Sequence, residues 1–176
     1  GINARPVPQV RIALPEYWTI PGTKRWLHLK GHIAYGMMTD DSWQHDFTNK
    51  QQKYADHVLY HSKAGYLKIG NEDSFFPLSL ELGLEMACEF GGKPYRRDGH
   101  GNMQRIPTDT GVKDFWNAFI PGGSDATDGV YTNRAGNQLG SWVARLNFDT
   151  DLWRFSVYAD HFFEDHSQMF LLDYNG

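Results

Sequence analysis

The chain of 176 residues has a single cysteine, Cys88. An internal disulfide is therefore excluded. Because Cys88 falls among alternating apolar residues, its thiol is expected to be buried and inert rather than nucleophilic. No run of 18 apolar residues occurs, which excludes a transmembrane helix on length. A basic excess is also missing. The net charge is -4 and the pI about 6.0, and the 17 Lys and Arg residues form no block, which argues against nucleic acid as a partner. There is no internal repeat at a fixed period, no low-complexity tract, no linker composition and no motif that implies a cofactor or a metal. What remains is 40% hydrophobic and 15% aromatic, the composition of a folded protein. The mean hydropathy of -0.57 still leaves one membrane architecture open, because barrel strands carry only alternating apolarity.

Alternation is what the sequence has in quantity. In PLSLELGLEMACEF, Leu78, Leu80, Leu82, Leu84, Met86, Cys88 and Phe90 occupy one stripe, and Ser79, Glu81, Gly83, Glu85, Ala87 and Glu89 the other. Successive side chains of a strand point to opposite faces, so the segment reads as one strand with an apolar face and a face of glutamates. WLHLKGHIAYGM repeats the pattern, with Leu27, Leu29, Ile33, Tyr35 and Met37 opposite His28, Lys30, His32 and Ala34. SWVARLNF and LWRFSVYAD flank Asp149-Thr150-Asp151 as a hairpin, with Trp142, Ala144, Leu146, Phe148, Trp153, Phe155 and Val157 on the apolar side. HVLYHSKAGYLKI is a less regular strand, since His61 and Lys63 share parity with Leu67 and Ile69, and VPQVRIALPEYW is a sixth, broken by Pro15.

The connections alternate in length: TIPGTK is short, about 38–56 long, GNEDSFFP short, 91–138 very long, and the final turn three residues. This is the pattern of an antiparallel up-and-down meander with tight turns on one rim and large loops on the other. Within the second long loop, Val112, Phe115, Trp116 and Phe119 recur at helical spacing before Pro121-Gly122-Gly123, predicting one short amphipathic helix. The fold class expected is all-β, one domain, and part of a transmembrane β-barrel. Leu78 to Phe90 would extend about 40 Å, and at a tilt of about 45° would climb about 28 Å, close to the apolar height of an outer-membrane barrel. Phe76, Phe90, Trp142, Phe148 and Trp153 lie near stripe ends, where interfacial aromatics belong. Alternation by itself leaves a soluble β-barrel or sandwich equally open.

LKGHIAYGMMTDDSWQHDF, VLYHSKAGYLKIGN, NQLGSW and YADHFFEDHSQMF, taken in order through nearly the whole chain, resemble the capsule assembly Wzi family of outer-membrane β-barrels, particularly the Bacteroidetes versions. The resemblance implies a closed barrel of more strands than these six and residence in a Gram-negative outer membrane. It also implies lectin-like anchoring of capsular polysaccharide rather than enzymatic activity. The chain, beginning GINARP, is accordingly expected to be a piece of a longer one. Polysaccharide and outer-membrane lipid are the partners expected.

No site residue follows from the resemblance, so candidates rest on chemistry. Pyranose rings expose CH patches and hydroxyls, which suit flat aromatic faces flanked by carboxylates, amides and guanidinium groups. The large loops supply Trp43, Gln44 and His45, then Tyr95, Arg96, Arg97, Asp98, His100 and Asn102, then Tyr131, Asn133 and Arg134. Arg96 and Arg97 would pair the carboxylates of an acidic capsule. Each alone is more often a packed loop residue; their gathering on one rim is what singles them out. DHFFEDHSQ offers Asp160, His161, Glu164, Asp165, His166 and Ser167 for a barrel hydrolase, although Asp160 and His161 should point to opposite faces of a strand. His28 and His32 are separated by roughly 13 Å along a strand, too far for one zinc. Asp125 and Asp128 lack the spacing of a calcium loop. Glu81, Glu85 and Glu89 are expected to pair with Lys30, Arg145 or Arg154. A hydrolase and a soluble β-domain of unknown role stay as alternatives.

Overall fold

A computed structural model of the chain describes residues 6–39, 43–47, 53–71, 74–106, 111–119 and 138–164, without the side chains of Gln44, Asn117 and Glu164. The expected all-β fold holds. Nine strands and two short helices occur among these residues, in the order β1 (Gln9–Thr19), β2 (Leu27–Met37), α1 (Trp43–Phe47), β3 (Tyr54–Asp56), β4 (Leu59–Ile69), β5 (Leu78–Phe90), β6 (Lys93–Arg97), β7 (Met103–Arg105), α2 (Val112–Phe119), β8 (Gln138–Asp149) and β9 (Arg154–Glu164). The six long strands form one sheet in the order β1-β2-β4-β5-β8-β9, so each lies beside the next long strand in the chain. The three short ones, all from the two long loops, form a second sheet in the order β3-β6-β7. Pro15 does not break β1, because β1 is an edge strand and can lack a ladder donor without leaving a neighbour unpaired.

The chain divides into two compact units, one of Gly1–Val10, Tyr35–His61 and Cys88–Gln138, the other of Arg11–Ala34, Ser62–Ala87 and Leu139–Gly176. The first unit holds a small apolar core in which Cys88, Phe90 and Ala118 are buried with Tyr35 and Leu59 packed against them. Helix α2 supplies Ala118, and its Phe115 ring meets Phe90 edge-on at 5.2 Å and Tyr35 at 5.6 Å. The helix expected from spacing is present, but its packing face is Phe115, Ala118 and Phe119. Val112 is 89% exposed and Ala118 only 1%. Helical spacing gives a stripe, and a one-residue difference in which edge of the stripe meets the core decides which members are buried. His61, the irregularity in β4, is buried here with its ring 4.3 Å from Tyr35 and 5.9 Å from Phe119.

In the second unit the two faces of the long strands differ in chemistry. Opposite residues of β8 and β9 are fixed by register, Leu146 against Val157 and Phe148 against Phe155 on one face, Arg145 against Tyr158 and Asn147 against Ser156 on the other. Asn147 Nδ2 donates to Glu81 Oε1 at 2.8 Å, which places Glu81 of β5 on the polar face and its neighbour Leu82 on the apolar one. That apolar face is exposed around Leu82, while Met86, farther along the same stripe, is buried. Leu82 is 42% exposed, Leu146 47% and Phe155 63%.

The polar face is a hydrogen-bonded network. Tyr17 donates to Glu81 at 2.8 Å, Tyr66 donates to Glu85, and Ser156 donates to Asn147 Oδ1 at 2.8 Å. Lys30 sits over the rings of Tyr17 and Tyr66, 4.6 and 4.7 Å from their centroids. The expected ion pairs of Glu81 and Glu85 with Lys30, Arg145 or Arg154 are thus replaced by phenol and amide donors, while Arg154 pairs with Asp149 at 3.0 Å. Gly83 explains how Tyr66 reaches Glu85. A Cβ at Gly83 would stand 2.4 Å from the Tyr66 ring and 2.6 Å from Val143, so only glycine lets the phenol lie across β5. His28 and His32 take separate partners, as the strand spacing requires. His28 Nε2 donates to the Gly70 carbonyl at 3.1 Å and its Nδ1 accepts from Thr19 at 3.0 Å, whereas His32 meets Ser62 at 3.3 Å.

One turn departs from the sequence reading. The β8–β9 hairpin is closed by four residues, not three: Thr150 N donates to the Trp153 carbonyl at 2.9 Å and Trp153 N to Thr150 Oγ1 at 3.0 Å. Trp153 therefore belongs to the turn, and the register starts at Asp149 opposite Arg154.

Candidate functional site

Of the loop residues singled out by chemistry, Tyr95, Arg96 and Arg97 lie in the small sheet of the first unit, and Asp98, His100 and Asn102 in the loop that joins β6 to β7. Antiparallel pairing sets Tyr54 of β3 opposite Tyr95 of β6, and Tyr95 opposite Arg105 of β7. Directly opposite residues share a face, so Tyr54, Tyr95 and Arg105 form a row, and Arg97, two residues along from Tyr95, lies on the same face with Met103 as its partner. The Tyr54 and Tyr95 rings stack at 4.7 Å and 10°. His45 of α1 meets Tyr54 edge-on at 5.5 Å and 81°, with its Nδ1 2.9 Å from Asp46 Oδ1. Trp43 and Phe47, four apart on α1, stack at 4.8 Å and 14°, and Trp43 is 60% exposed.

Partial burial pushes the Tyr54 phenol above its ordinary range, with the neighbouring Tyr95 and Asp56 adding to the effect. At neutral pH it is a hydrogen-bond donor. With Arg97 and Arg105 exposed on the same face, the row offers ring surfaces, a phenol donor and two guanidinium groups. That set can stack on a sugar ring and pair a carboxylate.

Not every candidate is free for a ligand. Asp98 is used by its own turn: Oδ1 accepts from the backbone of His100 at 2.9 Å and of Asn102 at 2.8 Å, and Oδ2 accepts from Gln104 Nε2 at 2.9 Å. Arg97 Nε donates to the Gly101 carbonyl at 3.0 Å, which fixes the guanidinium beside the loop. Arg96 falls on the opposite face of β6, against Gln104, so the Arg96-Arg97 pair expected to act together is split by strand alternation. His100 and Asn102 are exposed on the 98–102 loop. Tyr131, Asn133 and Arg134, with Asp125 and Asp128, lie outside the described residues, as do Asp165, His166 and Ser167; the side chain of Gln44 does too. Tyr54, Phe47 and Arg105 were missed by sequence reasoning. Strands of three residues are too short to show a period, so their cross-strand partners had no signal.

Asp98 yields a direct expectation. Asp98→Ala removes three acceptor contacts from the β6–β7 loop and should destabilise the small sheet by about 1–3 kcal/mol. Faster hydrogen exchange at the Asn102 amide, with the long-strand amides unchanged, is the readout.

Of the hydrolase candidates, the two whose side chains are described, Asp160 and His161, do not converge. Asp160 lies opposite Val143 and His161 opposite Trp142, so the two occupy opposite faces of β9. Among the described residues no cluster of three His, Cys, Asp or Glu side chains could hold a metal, and no helix is long and apolar enough to cross a membrane. Comparisons with protein-family models, with curated proteins and with solved structures return no match.

Proposed function

We propose that the chain is part of an outer-membrane β-barrel that binds capsular polysaccharide at the cell surface of a Gram-negative bacterium. The observation that carries the reading is the second unit's sheet: long strands in sequential order, one face apolar and exposed around Leu82, the other polar and hydrogen-bonded. An apolar face of that size left in water is an aggregation hazard, and lipid is the solvent that suits it while the network of Tyr17, Glu81 and Asn147 faces water. Strands of 11 to 13 residues also suit a bilayer, because soluble strands average about 5–6. The resemblance of the chain to the Wzi family points the same way.

The ligand-binding part of the reading rests on the row of Tyr54, Tyr95, Arg97 and Arg105, with Trp43 of α1 as a further exposed ring. Ring faces next to guanidinium groups suit an acidic glycan. The test uses the full-length protein in vesicles of brominated phospholipid, as a single-tryptophan version that keeps Trp142 for quenching and with every tryptophan kept for capsule retention. Bromine should quench Trp142 strongly, and the vesicles should retain purified capsule from the same strain, at least tenfold less after Tyr95→Ala. Absence of quenching would remove the membrane reading, and unchanged retention after Tyr95→Ala would remove the platform.

A further inference from the structure

The polar face of the second unit contains an open cavity of about 350 Å³. That lies at the lower end of the range of small-ligand sites, roughly 300–1,000 Å³. Its charges are not matched among themselves. Glu81 and Glu85 line it, yet their oxygens accept from Tyr17, Asn147 and Tyr66. Lys30 and Arg145 line it too, and neither is ion-paired with a carboxylate among the described residues. Lys30 is held instead on two ring faces, an arrangement that fixes the ammonium and leaves its N–H donors for an acceptor from outside. Asp160 completes the wall with acceptor oxygens, and Tyr158, directly opposite Arg145, adds an exposed ring and hydroxyl.

We propose that this cavity is a second, separate ligand site that takes one hexuronate unit of a glycan. The carboxylate lies between Arg145 and Lys30, the ring hydroxyls donate to Asp160, and the CH face rests on Tyr158. The mixture of groups selects this class. A simple anion would meet the Asp160, Glu81 and Glu85 carboxylates with no hydroxyl to offer them, and a neutral sugar would leave Lys30 and Arg145 without an ion-pair acceptor. Neither Lys30 nor Arg145 belongs to the Tyr54–Tyr95 row, so the site stands or falls independently of the platform.

The full-length parent protein in detergent, titrated calorimetrically with sodium glucuronate, glucose and acetate, tests the assignment. Glucuronate should bind at least tenfold tighter than either of the others. Arg145→Gln and Lys30→Gln should each weaken it tenfold or more, Arg145→Lys should recover part of the loss, and Tyr95→Ala should leave it unchanged. Equal binding of glucuronate and acetate would reduce the site to a generic anion patch and overturn the proposal. So would equal binding of glucuronate and glucose, or no heat from glucuronate. These comparisons use the unaltered protein, so they decide the matter even if a variant does not fold. Loss of glucuronate binding on Tyr95→Ala would move the site to the platform and overturn it equally.

Discussion

If the proposed membrane barrel is right, Leu82→Arg should keep it from its detergent-resistant folded form, whereas Glu81→Gln, one residue away, should leave most of it folded. The two positions differ in face. Leu82 is an exposed member of the apolar stripe, the fifth residue of a 13-residue strand, and a cation deep in a bilayer costs about 2–4 kcal/mol. Glu81 accepts from Tyr17 and Asn147 on the polar face, and a glutamine keeps an acceptor for one of them, so the loss is about one hydrogen bond, roughly 0.5–1.5 kcal/mol. Heat-dependent migration on gels, which separates folded from unfolded barrels, reads both. Leu82 is 42% exposed, and this makes the experiment discriminating. In a soluble domain a half-exposed leucine accepts arginine with a change within about ±0.5 kcal/mol, as surface substitutions do. A harmless Leu82→Arg would therefore exclude lipid on this face.

The long strands were legible because period two is a direct consequence of backbone geometry and one face of β2 and of β5 is apolar throughout. β5 runs over Leu78–Phe90 as the two stripes require, and β2 over Leu27–Met37 likewise. Register was not legible. Alternation says that Glu81 faces the polar side, but whether Tyr17, Asn147 or an arginine stands opposite depends on how strands slide past one another, and turn length sets that. The extra turn residue Trp153 changes the β8–β9 register, and the partners it sets, Tyr158 opposite Arg145 and Ser156 opposite Asn147, cannot be read from charge alone.

The candidate site was legible by composition and not by geometry. Tyr95, Arg97 and Trp43 were identifiable because loops rich in rings and cations are unusual. The pairing of Tyr54 with Tyr95 was not, since β3 and β7 have three residues each, too few to show a period. Asp98 shows the opposite error. A carboxylate among sugar-binding residue types looked like a ligand group, but an aspartate followed by Gly-His-Gly-Asn is equally the signature of a turn whose side chain caps its own backbone.

On the proposed capsule-binding reading, replacing Trp43, Tyr95 and Arg97 together by alanine should release capsule into the medium while capsule synthesis and barrel abundance stay normal. Loss of an aromatic contact is worth roughly 0.5–1.5 kcal/mol and of a charge-assisted hydrogen bond roughly 1.5–3 kcal/mol. Two of the first and one of the second come to about 2.5–6 kcal/mol, a weakening of about two to four orders of magnitude. Arg97 also holds the 98–102 loop through Gly101, so release by itself could arise from a loosened loop rather than a lost contact. Asp98→Ala separates these effects, because it loosens the same loop and leaves all three side chains in place. Release by the triple variant with retention by Asp98→Ala assigns the ring faces and guanidinium to the glycan. Equal release by both makes the loop's shape the determinant, and full retention by both removes the platform from capsule binding. His161→Ala should match the unaltered protein throughout, since His161 and Asp160 face opposite sides of β9 and cannot share a proton. A hydrolytic activity that vanished with it would replace the lectin reading by an enzymatic one.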